Sequence, residues 1–176
     1  GDITGGDSNG ILITDSKGTF KSVSFGKINS STGLSIAGSG TGTFQETLSF
    51  GDITGAGIAI EDKGTGTFQE TLSFGSITGG SGIVIKGTGS ETGNFQGTVS
   101  FRAITGGGYG IIIMPKGTGT FQDVSFNVEI NNDGTGIYVP SYMGIEFASF
   151  YYNKVCGGLR DRVWPSGPHS KYLNNC

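Results

Sequence analysis

A phenylalanine returns at positions 25, 50, 74, 101, 126 and 150, a spacing of 24 to 27 residues held over six copies. A repeat of that length is one supersecondary unit too small to bury its own apolar face, so successive copies must stack to make a core. Each copy, of the kind GDITGAGIAIEDKGTGTFQETLSF, holds three short apolar segments parted by Gly-rich corners. That is too little for a helix and enough for three strands. The pattern predicts an all-β fold: a parallel β-solenoid (β-helix) of about six turns over residues 1–150, then a C-terminal non-repeat segment, 151–176. Six turns at about 4.8 Å each give a body roughly 29 Å long.

The glycine content agrees with this reading. There are 35 Gly in 176 residues but only 4 Pro and no G-X-Y period, so the chain is neither collagen-like nor a linker. Glycine is expected at the corners, where positive φ recurs. No apolar run approaches the roughly 20 residues of a membrane span. No signal peptide is evident, and the chain opens at Gly1 rather than Met, which leaves room for a removed leader or a trimmed end.

Alternation separates inside from outside. In the G-I-x-I segment Ile11 and Ile13, Leu34 and Ile36, Ile58 and Ile60, Ile83 and Ile85, Ile111 and Ile113, and Ile137 and Val139 fall on one face. Phe20, Phe44, Phe68, Phe95 and Phe121 lead a second inward segment, followed by Val23, Leu48, Leu72, Val99, Val124 and Ala148 and then the periodic Phe. Ile3, Ile28, Ile53, Ile77, Ile104 and Ile130 supply the third. Aromatic and branched residues at this density are packing.

The outward positions carry the functional information. Leu12, Ser35, Ala59, Val84, Ile112 and Tyr138 lie between the inward aliphatics, and all but Ser35 are apolar. An apolar strip along a rod marks a contact surface, so Leu12, Ala59, Val84, Ile112 and Tyr138 are a candidate lateral interface, covered by another subunit or by the chain's own tail. A second outward array precedes the first Phe of each turn: Thr41 and Thr43, Thr65 and Thr67, Thr92 with Asn94, Thr118 and Thr120. β-branched Thr suits strands and their cross-strand ladders whatever the function. The insertion Gly89, Ser90, Glu91 is expected to interrupt the spacing of this array. Gln45, Gln69, Gln96 and Gln122 follow the Phe, and stacked amides can bond along a solenoid.

After Phe150 the composition changes. Residues 151–176 hold both Cys, the only Trp and the only His, and carry four basic residues against one acid, where the body has seven against thirteen. Such a segment reads as a cap or docking piece, either on its own solenoid or on a neighbour. A disulfide between Cys156 and Cys176 would close a loop of about 21 residues, stabilise it by roughly 3 kcal/mol and suit an extracellular setting. Bridges between chains are the other pairing. At the opposite end the first turn presents an uncovered rung, a template for head-to-tail addition.

Catalytic patterns are missing. His169 sits in the turn-like Ser166-Gly167-Pro168-His169-Ser170, no G-x-S-x-G, H-E-x-x-H or Walker sequence occurs, and two Cys with one His lack metal-ligand spacing. Glu46, Asp52, Glu61, Asp62 and Glu70 are scattered over corners and outward positions and read as solvated surface. Asn131-Asn132-Asp133-Gly134 reads as a turn rather than a calcium loop. The chain is therefore expected to be no enzyme, to carry no catalytic or metal site, to need no cofactor and to bind no nucleic acid.

Two sets of residues carry resemblances. The G-I-x-I and F-Q-x-x units resemble the repeats of secreted β-helical surface proteins such as polymorphic outer-membrane proteins, although Thr47, Thr71, Thr98 and Val124 stand where those have Asn. Gly-Thr-rich repeats of this kind are also similar to those of phage tail fibres and spikes. Either resemblance implies a secreted or particle-surface rod. The T-G-T ranks resemble the T-x-T arrays of β-solenoid ice-binding proteins, which implies that Thr41, Thr43, Thr65, Thr67, Thr118 and Thr120 form an ice-binding face. The expected function is a structural subunit of an extracellular filament or fibre of identical copies, joined head to tail or through the apolar strip. Ice binding, and carbohydrate binding or cleavage, are the alternatives.

Overall fold

The computed structural model describes residues 1–4, 9–87, 89–126, 135–139 and 149–157. They form an all-β parallel solenoid of about five turns, without helix. One wall stacks the strands Asn9–Thr14, Thr32–Ala37, Ala56–Ile60, Ser81–Ile85, Tyr109–Ile113 and Thr135–Tyr138. The long wall begins with Lys17–Phe20, Thr41–Phe44 and Thr65–Phe68 and continues through Val23–Phe25, Leu48–Phe50 and Leu72–Thr78. In the later turns Thr92–Thr105 and Thr118–Phe126 run through both segments as single strands. A third column links Ile3, Ile28, Ile53, Ile77 and Ile104.

Parallel, in-register pairing puts like on like. Phe44 stands opposite Phe68 and Phe68 opposite Phe95, while Ile58 stands between Leu34 and Ile83. The ladders read from alternation are the core: Leu34, Ile36, Ile58, Ile60, Ile83, Ile85, Ile111 and Ile113 are all fully buried at 0 % exposure. Two columns of rings run along the axis. Phe20, Phe44, Phe68, Phe95 and Phe121 stack at 4.4 to 5.1 Å, and Phe25, Phe50, Phe74 and Phe101 at 4.9 to 5.0 Å, with planes within 14° of parallel.

These rings assign glycine a different task from the one expected. Positive φ occurs at Gly38, Gly79, Gly106 and Gly107, but also at the non-Gly corners Asp15, Ser30, Asp62, Lys63 and Lys116. The glycines of the T-G-T-F and G-I-x-I segments face inward beneath a ring, while others such as Gly40, Gly51, Gly64 and Gly75 lie against the backbone of the preceding turn. In T-G-T-F the Phe folds back over the Gly two residues before it, so a Cβ at Gly66 would lie 2.8 Å from Phe68 Cε2 and 3.0 Å from Ile60 Cδ1. In G-I-x-I the Gly lies under the other ring column: a Cβ at Gly57 would meet Phe74 Cε1 at 2.6 Å, and one at Gly82 would meet Phe101 Cε1 at 2.6 Å. Close approach, either to a ring inside the tube or to the backbone of the neighbouring turn, constrains more of these glycines than positive φ does.

The sixth copy departs from the spacing. Thr135–Tyr138 takes its place on the short wall as expected, with Ile137 opposite Ile111. The next rung of the long wall, however, is Ser149–Gly157, which crosses residue 150 and lies on Thr118–Phe126. Tyr152 stands opposite Phe121 and Val155 opposite Val124, while Phe150 stands opposite Gly119 instead of taking the column of Phe126. Nine residues separate Val139 from Ser149, where four separate Ile113 from Thr118, so counting from Phe to Phe slips at this turn.

The packing of ring on glycine is open to test. Gly66→Ala should destabilise the fold by about 1–3 kcal/mol in urea unfolding, because the added methyl overpacks a filled interior. Combined with Phe68→Leu, which removes the ring edge, the alanine should cost markedly less than it does alone.

Candidate functional site

The threonine array is the most regular surface of the rod. Because Phe44 and Gly42 face inward, alternation turns Thr41 and Thr43 outward, and the same holds in each turn. One column runs Lys17, Thr41, Thr65, Thr92, Thr118, and its neighbour runs Thr19, Thr43, Thr67, Asn94, Thr120, each paired in register with the next. Ranks repeat about every 4.8 Å along the axis, with roughly 6.8 Å between the two columns. Thr41, Thr43, Thr65, Thr67 and Thr118 are half-buried and Thr120 is exposed.

The insertion Gly89, Ser90, Glu91 does not interrupt these ranks, contrary to expectation. Thr92 pairs with both Thr65 and Thr118. The additional residues are taken up at the corner, where the fully buried Glu91 accepts the backbone N–H of Gly89 at 2.7 Å and of Lys63 at 3.2 Å through Oε1. A carboxylate placed to receive backbone donors lets the longer corner close without disturbing the strand that follows. Its signal in the sequence was the spacing itself: seven residues from Ile85 to Thr92 against five from Ile60 to Thr65.

Beside the threonines, Gln45, Gln69, Gln96 and Gln122 are exposed. A side-chain bond along the rod is made instead by Ser49 Oγ with Ser24 Oγ at 2.9 Å. The long wall thus presents Thr, Gln and Ser columns, with charge at Lys17 and Lys21 in the first turn and at the exposed Glu46 and Glu70 next to Gln45 and Gln69.

The opposite wall carries the candidate lateral interface. Leu12 is 58 % exposed, and Val84, Ile112 and Tyr138 are half-buried. Ala59, at 3 %, is recessed between Ser35 and Val84 in the same column. Ser35 Oγ bonds Glu61 Oε1 at 3.4 Å, and Glu61 Oε2 bonds Lys86 Nζ at 2.7 Å, so a polar cluster borders the small residues. Tyr109, in the adjoining column, was not singled out in the sequence. Its ring lies 5.5 Å from that of Tyr138 and widens the apolar end of the strip.

Three aspartates, of which the sequence reading assigns only Asp52 to solvated surface, stitch one turn to the next. Asp2 Oδ1 accepts the N–H of Lys27 at 2.8 Å, and Asp52 Oδ1 that of Ser76 at 3.0 Å. Asp15 Oδ1 accepts from Ser39 N at 2.7 Å and Ser39 Oγ at 3.0 Å. Glu46 and Glu70 are exposed. Among the described residues no three His, Cys, Asp or Glu side chains group so as to hold a metal ion, and no helix is long and apolar enough to cross a membrane. His169, Cys176 and the Asn131-Asn132-Asp133-Gly134 stretch lie outside the described residues. Cys156 is placed by its backbone, opposite Ser125, so the Cys156–Cys176 pairing also falls outside them. No family model, curated protein or solved structure matches the chain.

The corner at Asp15 makes a pH prediction. The backbone hydrogen bond from Ser39, then its hydroxyl, favours the carboxylate and lowers the pKa from its ordinary value of 3.8. A carboxyl with a depressed folded value contributes stability that is complete above its unfolded value and is lost as pH falls through the folded one. NMR titration should find Asp15 still ionised just below pH 3.8, and in Asp15→Asn the Ser39 amide should lose its response to pH in that range.

Proposed function

We propose that the chain is a structural subunit of an extracellular or particle-surface fibre, a stiff rod lengthened by adding rungs at its end. The first turn carries this reading. Among the described residues, Asn9–Thr14, Lys17–Phe20 and Val23–Phe25 have a bonded neighbour on one side only. Ile3, Ile11, Phe20 and Val23 remain partly exposed, whereas Ile28, Leu34, Phe44 and Leu48, in the same columns one turn on, are at 0 to 2 %. Unpaired backbone groups beside apolar side chains are a template for another parallel strand. Joining unlike ends of identical copies propagates without closing. The strip at Leu12, Val84, Ile112 and Tyr138 supplies a contact by which such rods bundle sideways. The extracellular setting rests on the pairing expected of Cys156 and Cys176 and on the likeness to surface and fibre repeats.

Negative-stain microscopy and sedimentation over a concentration series test the reading. Rods longer than a single body of roughly 29 Å should appear and lengthen with concentration, and Phe20→Asp should leave single bodies. A native protein that sediments as a monomer throughout the series is the contrary result.

The unbroken threonine ranks support a second reading, in which the long wall orders water against ice. The regular register of the two columns from Thr41 to Thr120, neither of which holds a charged residue over that span, suits that task. Native protein should then show thermal hysteresis, and Thr67→Tyr, which raises one side chain above the plane, should abolish it. Absence of hysteresis in concentrated native protein rules the second reading out.

A further inference from the structure

Building on the fibre reading above, we infer which strands meet at the junction: Ser149–Gly157 of one copy lies on Lys17–Phe20 and Val23–Phe25 of the next. The spacing between the two inward columns of the long wall is what selects them. From the first aromatic to the following Val or Leu there are four residues in the middle turns, Phe44 to Leu48, Phe68 to Leu72 and Phe95 to Val99. In the first turn there are three, Phe20 to Val23, as there are from Phe121 to Val124 and from Tyr152 to Val155.

The cost of mixing the two spacings is visible within the chain. Where the four-residue turn Phe95–Val99 meets the three-residue turn Phe121–Val124 the register shifts between Phe95 and Thr98. Where Phe121–Val124 meets Tyr152–Val155 it runs without a shift. The strand 149–157 therefore matches the first rung as it matches the rung it already lies on.

Carrying that register over sets Tyr152 opposite Phe20, Val155 opposite Val23 and Cys156 opposite Ser24. Charges are also compatible by position. Lys17 and Lys21 of the first rung fall opposite Ser149 and Asn153, and Lys154 falls opposite Ser22, so no like charges oppose one another. Lysines on a free edge strand discourage indiscriminate pairing, and here they disfavour a partner that sets positive charge against them. Both edges are free among the described residues, since Ser149–Gly157 pairs with Thr118–Phe126 alone.

Cysteine cross-linking tests the junction in the full chain. Adjacent strands lie about 4.8 Å apart, within the Cα separation a disulfide spans. With Cys176→Ser leaving Cys156 unpaired, Ser24→Cys at an exposed position should give a covalent ladder on mild oxidation, with the thiol introduced at position 24 joined to Cys156 in the digested peptides. Ser125→Cys in the same background should close within one chain, and Ser100→Cys, two rungs from Cys156, should do neither. An alanine inserted after Lys21, which lengthens the first turn's spacing to four, should prevent fibres while the ladder from Phe44 onward stays folded by circular dichroism. Fibres that form but give no link between position 24 and Cys156 overturn the junction and leave the fibre reading standing. A protein that forms no fibres overturns both.

Discussion

The stacking of phenylalanine rings at the strand repeat is the constraint on which the rest of the rod depends. Parallel strands in register fix the spacing of like residues at about 4.8 Å, close to the separation that offset aromatic rings favour. The rings of Phe68 and Phe95 are 4.7 Å apart, so backbone pairing and side-chain stacking ask for the same geometry. A ring of this size fits a narrow tube only if its neighbour gives up a side chain. Gly66 under Phe68 and Gly57 under Phe74 are those neighbours. From this follows part of the composition, in which a fifth of the chain is glycine while the interior remains dense.

The same constraint shapes the outside. With Gly66 and Phe68 turned inward, alternation sends Thr65 and Thr67 out, and because the interior is identical from turn to turn the outer residues form straight columns. Outer columns are then free to differ in chemistry without disturbing the core. The long wall has taken hydroxyls and amides, and the short wall small and apolar groups ending in Tyr109 and Tyr138.

The core was legible in the sequence because a period of two inside a period of about 25 leaves little choice of facing. Leu34, Ile58 and Ile83 needed only that argument. What was not legible depends on distances across the tube. The role of Gly57 requires knowing that the Phe74 ring reaches it from another segment of the same turn, and Asp15 and Asp52 look like any surface acids until the next turn's amides are placed beside them. Phe150 misled because its spacing fits the period while the longer connection before it shifts the rung, so that Tyr152 continues the column of Phe121. The threonine ranks were legible as a pattern, but their continuity past Thr92 depended on the buried Glu91 closing the corner.

The ends of a solenoid carry a tension that its middle does not. Completing the burial of the partly exposed Ile3, Ile11, Phe20 and Val23 is worth at most about a third of the roughly 1.5–3 kcal/mol that each would give if fully exposed. Ladder hydrogen bonds add about 0.5–1.5 kcal/mol net apiece, while joining two bodies costs about 4–15 kcal/mol in lost freedom. These terms are of similar size, so the end-to-end association proposed for this rod would be governed by concentration and by the fit of the meeting rungs, and not by burial alone. Lys17 and Lys21 shift that balance further toward fit, because a rung that placed positive charge against them would forfeit the margin. A column pattern that is indifferent to turn number through the middle turns would thus become specific at its edge, where two residues rather than three separate Phe20 from Val23.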